Sequence, residues 1–156
     1  MKIILAGPKG TGKSSIGQRL AALLGLPFIE TDQQLCELYA AHTREQLTCR
    51  EIMRREGEAR FRDLEHAAAM VLARRDWCII ATGGATLMNP ESRRMLRENS
   101  VIVLLHCTPA TLWERTHKTG TPAYHTTIDM RQEFQQRAER IIETVRPFAD
   151  VVMDTS

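Results

Sequence analysis

Residues Gly7 to Ser14 read GPKGTGKS and match the pattern G-x-x-x-x-G-K-[ST]. The pattern constrains the fold because it works only where a buried strand runs directly into a helix. Both neighbours are present. Met1 to Ala6 is a short, β-rich apolar run that stops at Gly7, and Lys13 to Leu24 spaces Ile16, Leu20, Leu23 and Leu24 at helical intervals. In that setting Gly7, Gly10 and Gly12 let the backbone curl until its N–H groups point at phosphate oxygens, and the helix N-terminus adds a favourable dipole. Lys13 then reaches the β- and γ-phosphates of a nucleoside triphosphate and the Ser14 hydroxyl holds Mg²⁺, with Thr11 and Ser15 completing the loop. A glycine-rich turn without a ligand is the alternative, and the flanking strand and helix speak against it.

Gly25 followed by Pro27 ends the first helix, and Pro27 to Glu30 gives a second brief strand. The polar Thr31-Asp32 pair is placed to cap the helix that follows. Residues 32–75 read as almost wholly helical, with breaks near Ala41 to Thr48 and around Gly57. Trp77 to Ala81 is a third apolar run, closed by Thr82-Gly83-Gly84. Val101 to His106 is a fourth, ending before a helix start at Thr108-Pro109, and Ala149 to Met153 is a fifth. Continuous apolar runs separated by helices are what a parallel sheet covered on both faces requires, so the pattern predicts a three-layer α/β fold. In such sheets ligands bind outside the carboxyl ends of the strands. The loops at Gly7, Thr31 and Thr82 all follow strands and so share one edge.

A chain of 156 residues suits one domain, able to bury roughly two thirds of its unfolded surface. The formal charge of +2 comes from 21 basic and 19 acidic residues spread along the chain, without the clustered footprint of a nucleic-acid binder. The apolar runs fall far below the roughly 20 residues that span a bilayer. The run after Lys2 stops at the glycine loop, unlike a signal peptide, so a cytoplasmic protein with no membrane partner is expected. Cys36, Cys49, Cys78 and Cys107 are far apart and show no CxxC or Cys/His spacing, which predicts neither a zinc site nor a redox pair, only reduced and mostly buried thiols.

Several further motifs follow the loop in a specific order. GPKGTGKSS fills Gly7 to Ser15, Glu30-Thr31-Asp32 takes the place of an Asp-x-Asp, Gly57 to Glu65 reads GEARFRDLE, and Thr82-Gly83-Gly84-Ala85 follows the third run. With these motifs the chain resembles the shikimate kinase family from Met1 to about Ser156. The resemblance implies a three-layer α/β/α domain of the P-loop NTPase type, with a five-stranded parallel sheet in the order 2-3-1-4-5. It implies a single kinase domain over 1–156 with a lid at about 116–128, ATP and Mg²⁺ as cofactors, and shikimate or a similar hydroxy acid as acceptor.

The residues themselves support these roles and leave alternatives. Asp32, just past a strand end near the phosphates, can accept hydrogen bonds from substrate hydroxyls and take the proton of the attacking one; its alternative is the helix cap alone. Glu30 is a carboxylate able to reach Mg²⁺ through water. Arg62 corresponds to the family arginine that grips the substrate carboxylate with a two-pronged guanidinium, against a solvated surface arginine. Gly83 and Gly84 permit close backbone approach to a ligand, against simple turn glycines. Arg137 and Arg140 share a helical face, and either supplies the second arginine of the carboxylate clamp; Arg140 is the preferred choice, and two surface charges the alternative. Arg115 matches the arginine that packs on adenine, or is a structural charge at a helix end.

Three departures stand out. Thr121-Pro122-Ala123 replaces the family's lid Arg-Pro-Leu, and no arginine occurs between Arg115 and Arg131; Lys118 is the lysine left there, with His117 and His125 cationic only if protonated. An arginine on the transferring phosphoryl group is worth roughly 10³ in rate, so its loss implies a slow enzyme, replacement by Lys118, or another substrate. Ala85 stands at the family's third glycine, so a methyl group intrudes or the backbone avoids positive φ there. Relatives also continue past the fifth strand into an adenine-contacting loop and a last helix, which is expected to be absent here.

The expected activity is phosphoryl transfer from ATP to a hydroxyl of a small acid, shikimate first, giving shikimate 3-phosphate in aromatic amino-acid biosynthesis. A gluconate-type or other small-molecule kinase is the alternative, and a catalytically impaired nucleotide-binding homologue the third reading. A monomer is expected.

Overall fold

The structure, a computed structural model, describes residues 1–118 and 130–156. The expectations for Thr121-Pro122-Ala123 and His125, and for the Lys118 side chain, lie outside the described residues. The chain runs β1 (Lys2–Ala6), α1 (Lys13–Leu24), β2 (Phe28–Glu30), α2 (Thr31–Thr43), α3 (Cys49–Glu56), α4 (Glu58–Ala73), β3 (Ile79–Ala81), a 3₁₀ turn (Thr86–Met88), α5 (Pro90–Arg97), β4 (Ser100–His106), α6 (Pro109–Lys118), α7 (Met130–Val145), a second 3₁₀ turn (Arg146–Phe148) and β5 (Val151–Asp154).

β1 explains the architecture. Successive side chains of a strand point to opposite faces, and every residue from Lys2 to Ala6 is at least partly buried. Ile4 and Ala6 pack on one side with Ala69 and Leu72 of α4, Leu96 of α5 and Ile141 of α7. Ile3 and Leu5 pack on the other with Ile16, Leu20 and Ala21 of α1. An apolar run without alternation is the result of having helices on both faces. The strands pair in parallel in the order β2-β3-β1-β4-β5, with Ile4 opposite both Ile80 and Ile102. This is the predicted order with β1, and therefore the glycine loop, at its centre.

A separate cluster of Leu35, Tyr39, Ile52, Met53, Phe61 and Ala68 joins α2, α3 and α4. Helix α3 begins with a reciprocal cap in which the Thr48 side chain accepts from Glu51 N–H and the Glu51 carboxylate accepts from Thr48 N–H. The breaks expected near Ala41 to Thr48 and at Gly57 are the two ends of this helix.

Four expectations are corrected. β3 begins at Ile79 rather than Trp77, because Trp77 adopts φ +52°, turns its ring to solvent and donates its N–H to Met1 O. β5 is exposed along its whole length, so burial on both faces fails at this edge. The cap of α2 is Glu30, without a side-chain bond, and the helix starts at Thr31; Asp32 lies inside the first turn and caps nothing. The cysteines are not all separate: Cys36 Sγ and Cys49 Sγ lie 3.6 Å apart and only half-buried, brought together by the chain reversal after α2, where Arg44 adopts φ +63°.

Gly17 lies within α1, where Ala ordinarily stabilises a helix by about 1 kcal/mol over Gly. Here a Cβ would stand 2.3 Å from the Phe28 ring and 3.1 Å from Leu5, and overpacking of this kind costs about 1–3 kcal/mol. Gly17→Ala is therefore expected to lower the melting temperature by several degrees, at about 2–4 °C per kcal/mol, in a thermal unfolding scan. A raised melting temperature contradicts the packing described.

Candidate active site

The donor side is built by the β1–α1 loop. Gly7 has φ +138°, and a Cβ there would lie 2.1 Å from Leu105 O on β4, so neither the dihedral nor the space admits a side chain. Gly10 and Gly12 also have positive φ. Thr11 is buried and donates from Oγ1 to Pro8 O at 2.9 Å, closing the curl. Helix α1 starts after Gly12 with no side-chain cap, which leaves its first N–H groups to a ligand. Lys13 Nζ donates to Gly7 O at 2.7 Å and Pro8 O at 2.8 Å, so the loop wraps its ammonium. Burial lowers the Lys13 pKa to about 8, against the opposing pull of the Asp32 and Glu30 carboxylates.

Ser14 Oγ donates to Glu30 Oε1 in a very short contact. A hydroxyl and a carboxylate side by side at the mouth of a phosphate loop fit Mg²⁺, which favours hard oxygen ligands and takes the rest of its shell from phosphates and water. Among the described residues no group of three or more His, Cys, Asp or Glu would hold a metal without such help. Ser15 lines the same cavity. Arg115 donates to Gly10 O at 3.4 Å and Thr155 O at 2.8 Å, tying α6 to the loop and to the end of β5.

The acceptor side comes from the ends of β2 and β3 and from α4. Gly83 N–H donates to Thr31 Oγ1 at 2.6 Å, and a Cβ on Gly83 would lie 2.6 Å from Asp32 Oδ1 and 3.0 Å from Glu65 Oε1. Gly83 is thus needed to let the β3 loop reach Asp32. Ala85 adopts φ −106°, so its backbone does avoid the left-handed region. Asp32 remains accessible from the cavity, yet the protein packed around it, and next the Glu65 carboxylate, push its pKa up. Glu65 is buried; it accepts from Thr86 Oγ1 at 2.9 Å and pairs with Arg62 Nη1 at 2.9 Å. Arg62 Nη2 lies 3.5 Å from Glu58 and is buried without a hydrogen bond. Arg62 is therefore held in place rather than solvated, and one of its donors is left for an anion.

A cavity of about 500 Å³ is lined by Lys13, Asp32, Gly83 and Gly84 on its donor and acceptor sides, and a neighbouring one of about 670 Å³ by Arg137 and Arg140 of α7. The two share Arg62, Glu65 and Ala85. Arg137 Nη2 lies 3.6 Å from Glu58, the carboxylate that also faces Arg62. The structure thus brings Lys13, Ser14, Asp32, Arg62 and Gly83 to one edge of the sheet, with both candidate arginines of α7 next to it. Three residues of the site went unassigned in the sequence. Glu65 stood in the quoted motif without a role, and Lys9 and Arg50, which also line the 500 Å³ cavity, gave no signal beyond their charge.

Comparison with known proteins agrees with this fold. The family model described as "Shikimate kinase" matches residues 9–156. The chain is 35% identical over 156 residues to the shikimate kinase of Halorhodospira halophila, covering 99% of this chain and 84% of that one. It is 34% identical over 157 residues to that of Caldanaerobacter subterraneus, covering 99% and 86%. Among solved structures, shikimate kinase from Acinetobacter baumannii in complex with shikimate superposes with a TM-score of 0.81 at 26% identity, over 99% of this chain and 83% of that one. A gluconokinase from Sinorhizobium meliloti, at 23% identity and a TM-score of 0.59 over 99% and 82%, shares the fold alone. Matched along nearly its whole length by the family model and by relatives above 30% identity, the chain belongs to the shikimate kinase family.

Proposed function

We propose that the chain transfers the γ-phosphoryl group of ATP to a hydroxyl of shikimate, forming shikimate 3-phosphate, and that residues 1–156 act as one monomeric kinase domain in the cytoplasm. The observation that carries this reading is that Asp32, beside Gly83 and Glu65, lines the same cavity as Lys13. Among the described residues no helix is long and apolar enough to cross a membrane.

In this reading Gly7, Gly10, Thr11, Gly12, Lys13, Ser14 and Ser15 hold the triphosphate, with Arg115 at its base end. Arg62 offers Nη2, which makes no hydrogen bond, to the substrate carboxylate, and Arg140, or its neighbour Arg137, supplies the second cation. Gly83, Gly84 and Ala85 form the floor against which the ring lies. Asp32 accepts the proton of the attacking hydroxyl as its oxygen bonds to the γ-phosphorus, while the bond to the bridging oxygen breaks and its electron pair leaves with ADP. The raised pKa of Asp32 makes it a stronger base than an ordinary carboxylate. Mg²⁺ held at Ser14 and Glu30 would neutralise charge on the phosphate oxygens. Lys13 leaves its loop carbonyls to follow the phosphates.

Lys13→Met and Asp32→Asn are each expected to lower kcat with Mg-ATP and shikimate by about 10²–10⁴-fold with the fold retained by circular dichroism. Efficient turnover of gluconate with none of shikimate would remove the acceptor assignment.

The Lys13 ammonium supplies a pH test. In the ligand-free protein it loses its proton around pH 8, and phosphate oxygens raise its pKa again. Nucleotide binding at about pH 9 should therefore take up a proton, and binding at pH 7 should take up none. Calorimetry in buffers of different ionisation enthalpy reads this directly. Uptake that persists unchanged in Lys13→Met would assign it elsewhere.

A further inference from the structure

Lys9 is the central residue of the GPKGT curl, and its backbone nitrogen lies 3.8 Å from where a Cβ on Gly84 would stand, so it borders the acceptor loop after β3. Arg50 is the second residue of α3, next to Cys49, whose thiol donates to Asp32 O at 3.5 Å. Both residues line the cavity that contains Lys13 and Asp32. Neither makes a hydrogen bond or ion pair with protein among the described residues. The two cations act on each other across this space: the Lys9 pKa is lowered by burial and next by Arg50, with Asp32 opposing. Like charges facing one cavity repel, Asp32 offsets less at Lys9 than Arg50 contributes, and an anion between the two cations relieves the repulsion.

The position identifies the anion. In the kinase reading the group in flight passes from a diphosphate held by Lys13 to a hydroxyl at Asp32, inside the cavity that Lys9 of the donor loop and Arg50 of α3 also line. The acceptor's carboxylate already has Arg62, on the side of the cavity towards α7. We propose that Lys9 and Arg50 form a two-cation clamp on the transferring phosphoryl group, in contact with its non-bridging oxygens. The clamp rests on the kinase reading above. It exchanges no atoms: the hydroxyl oxygen bonds to phosphorus, the bridging oxygen leaves with its electron pair on ADP, the proton passes to Asp32, and the clamp neutralises charge on the phosphoryl oxygens throughout. Because no arginine lies between Arg115 and Arg131, this places the added positive charge on the loop and on α3 rather than on the segment between α6 and α7.

Steady-state kinetics of Lys9→Met, Arg50→Met and Lys9→Arg with Mg-ATP and shikimate test the clamp. Each Met variant should lose about 10² in kcat, with KM for shikimate within about threefold of the parent, and Lys9→Arg should recover to within about tenfold. A second measurement does not depend on the acceptor: the preference for a non-hydrolysable ATP analogue over ADP should fall at least about fivefold in the Met variants, since only the triphosphate carries the contacted group. The proposal is overturned if kcat of both Met variants stays within about threefold, if the loss is confined to KM for shikimate, or if the preference for the triphosphate is unchanged. A parent enzyme inactive on shikimate would instead sink the acceptor assignment, and analogue binding would still decide the clamp.

Discussion

The Lys13 ammonium, enclosed by the carbonyls of Gly7 and Pro8, is the interaction on which the rest of the site depends. It organises the loop before any phosphate arrives, and it does so where β1 ends at the centre of the sheet. That placement is what requires Gly7: the neighbouring β4 carbonyl at Leu105 leaves no room for a side chain. The acceptor loops approach the same edge because β2 and β3 run parallel to β1 and end beside it. A central buried strand thus sets both halves of the chemistry.

The site gathers charge of both signs at some cost to the ligand-free protein. Burial holds Lys13 below its ordinary pKa and Asp32 above its own, so each charged form is disfavoured where it stands. Glu65 contributes to the rise at Asp32 while anchoring Arg62. Anionic phosphates beside Lys13, and a substrate carboxylate beside Arg62, add to the counter-charges that Asp32, Glu30, Glu58 and Glu65 already supply. Ligand binding in this site therefore relieves tension that the fold maintains, as expected where binding and catalysis share one cavity.

Much of this was legible in the sequence because it was local. The phosphate loop, the parallel sheet and the helix breaks follow from glycines, apolar runs and periodicity between neighbours in the chain. What was not legible arises from contacts between distant segments. The Cys36 and Cys49 thiols meet only because α2 and α3 fold back on each other, and no spacing rule reports that. Asp32 reads as a helix cap until Glu30 is seen to occupy that position. Burial on both faces holds for β1 and fails for β5, which has a single strand neighbour and stays exposed. Lys9 and Arg50 carry no role in the sequence because the cavity they share is built by elements some forty residues apart.

The most direct measurement is a crystal structure of the chain with ADP and shikimate bound together. The expected result is ADP phosphates in the Gly7 to Ser14 loop, the shikimate carboxylate on Arg62 and one of the two α7 arginines, and a ring hydroxyl within hydrogen-bond reach of Asp32, with Lys9 and Arg50 flanking the gap between donor and acceptor. Shikimate bound away from Asp32, or its carboxylate turned away from Arg62, would contradict it.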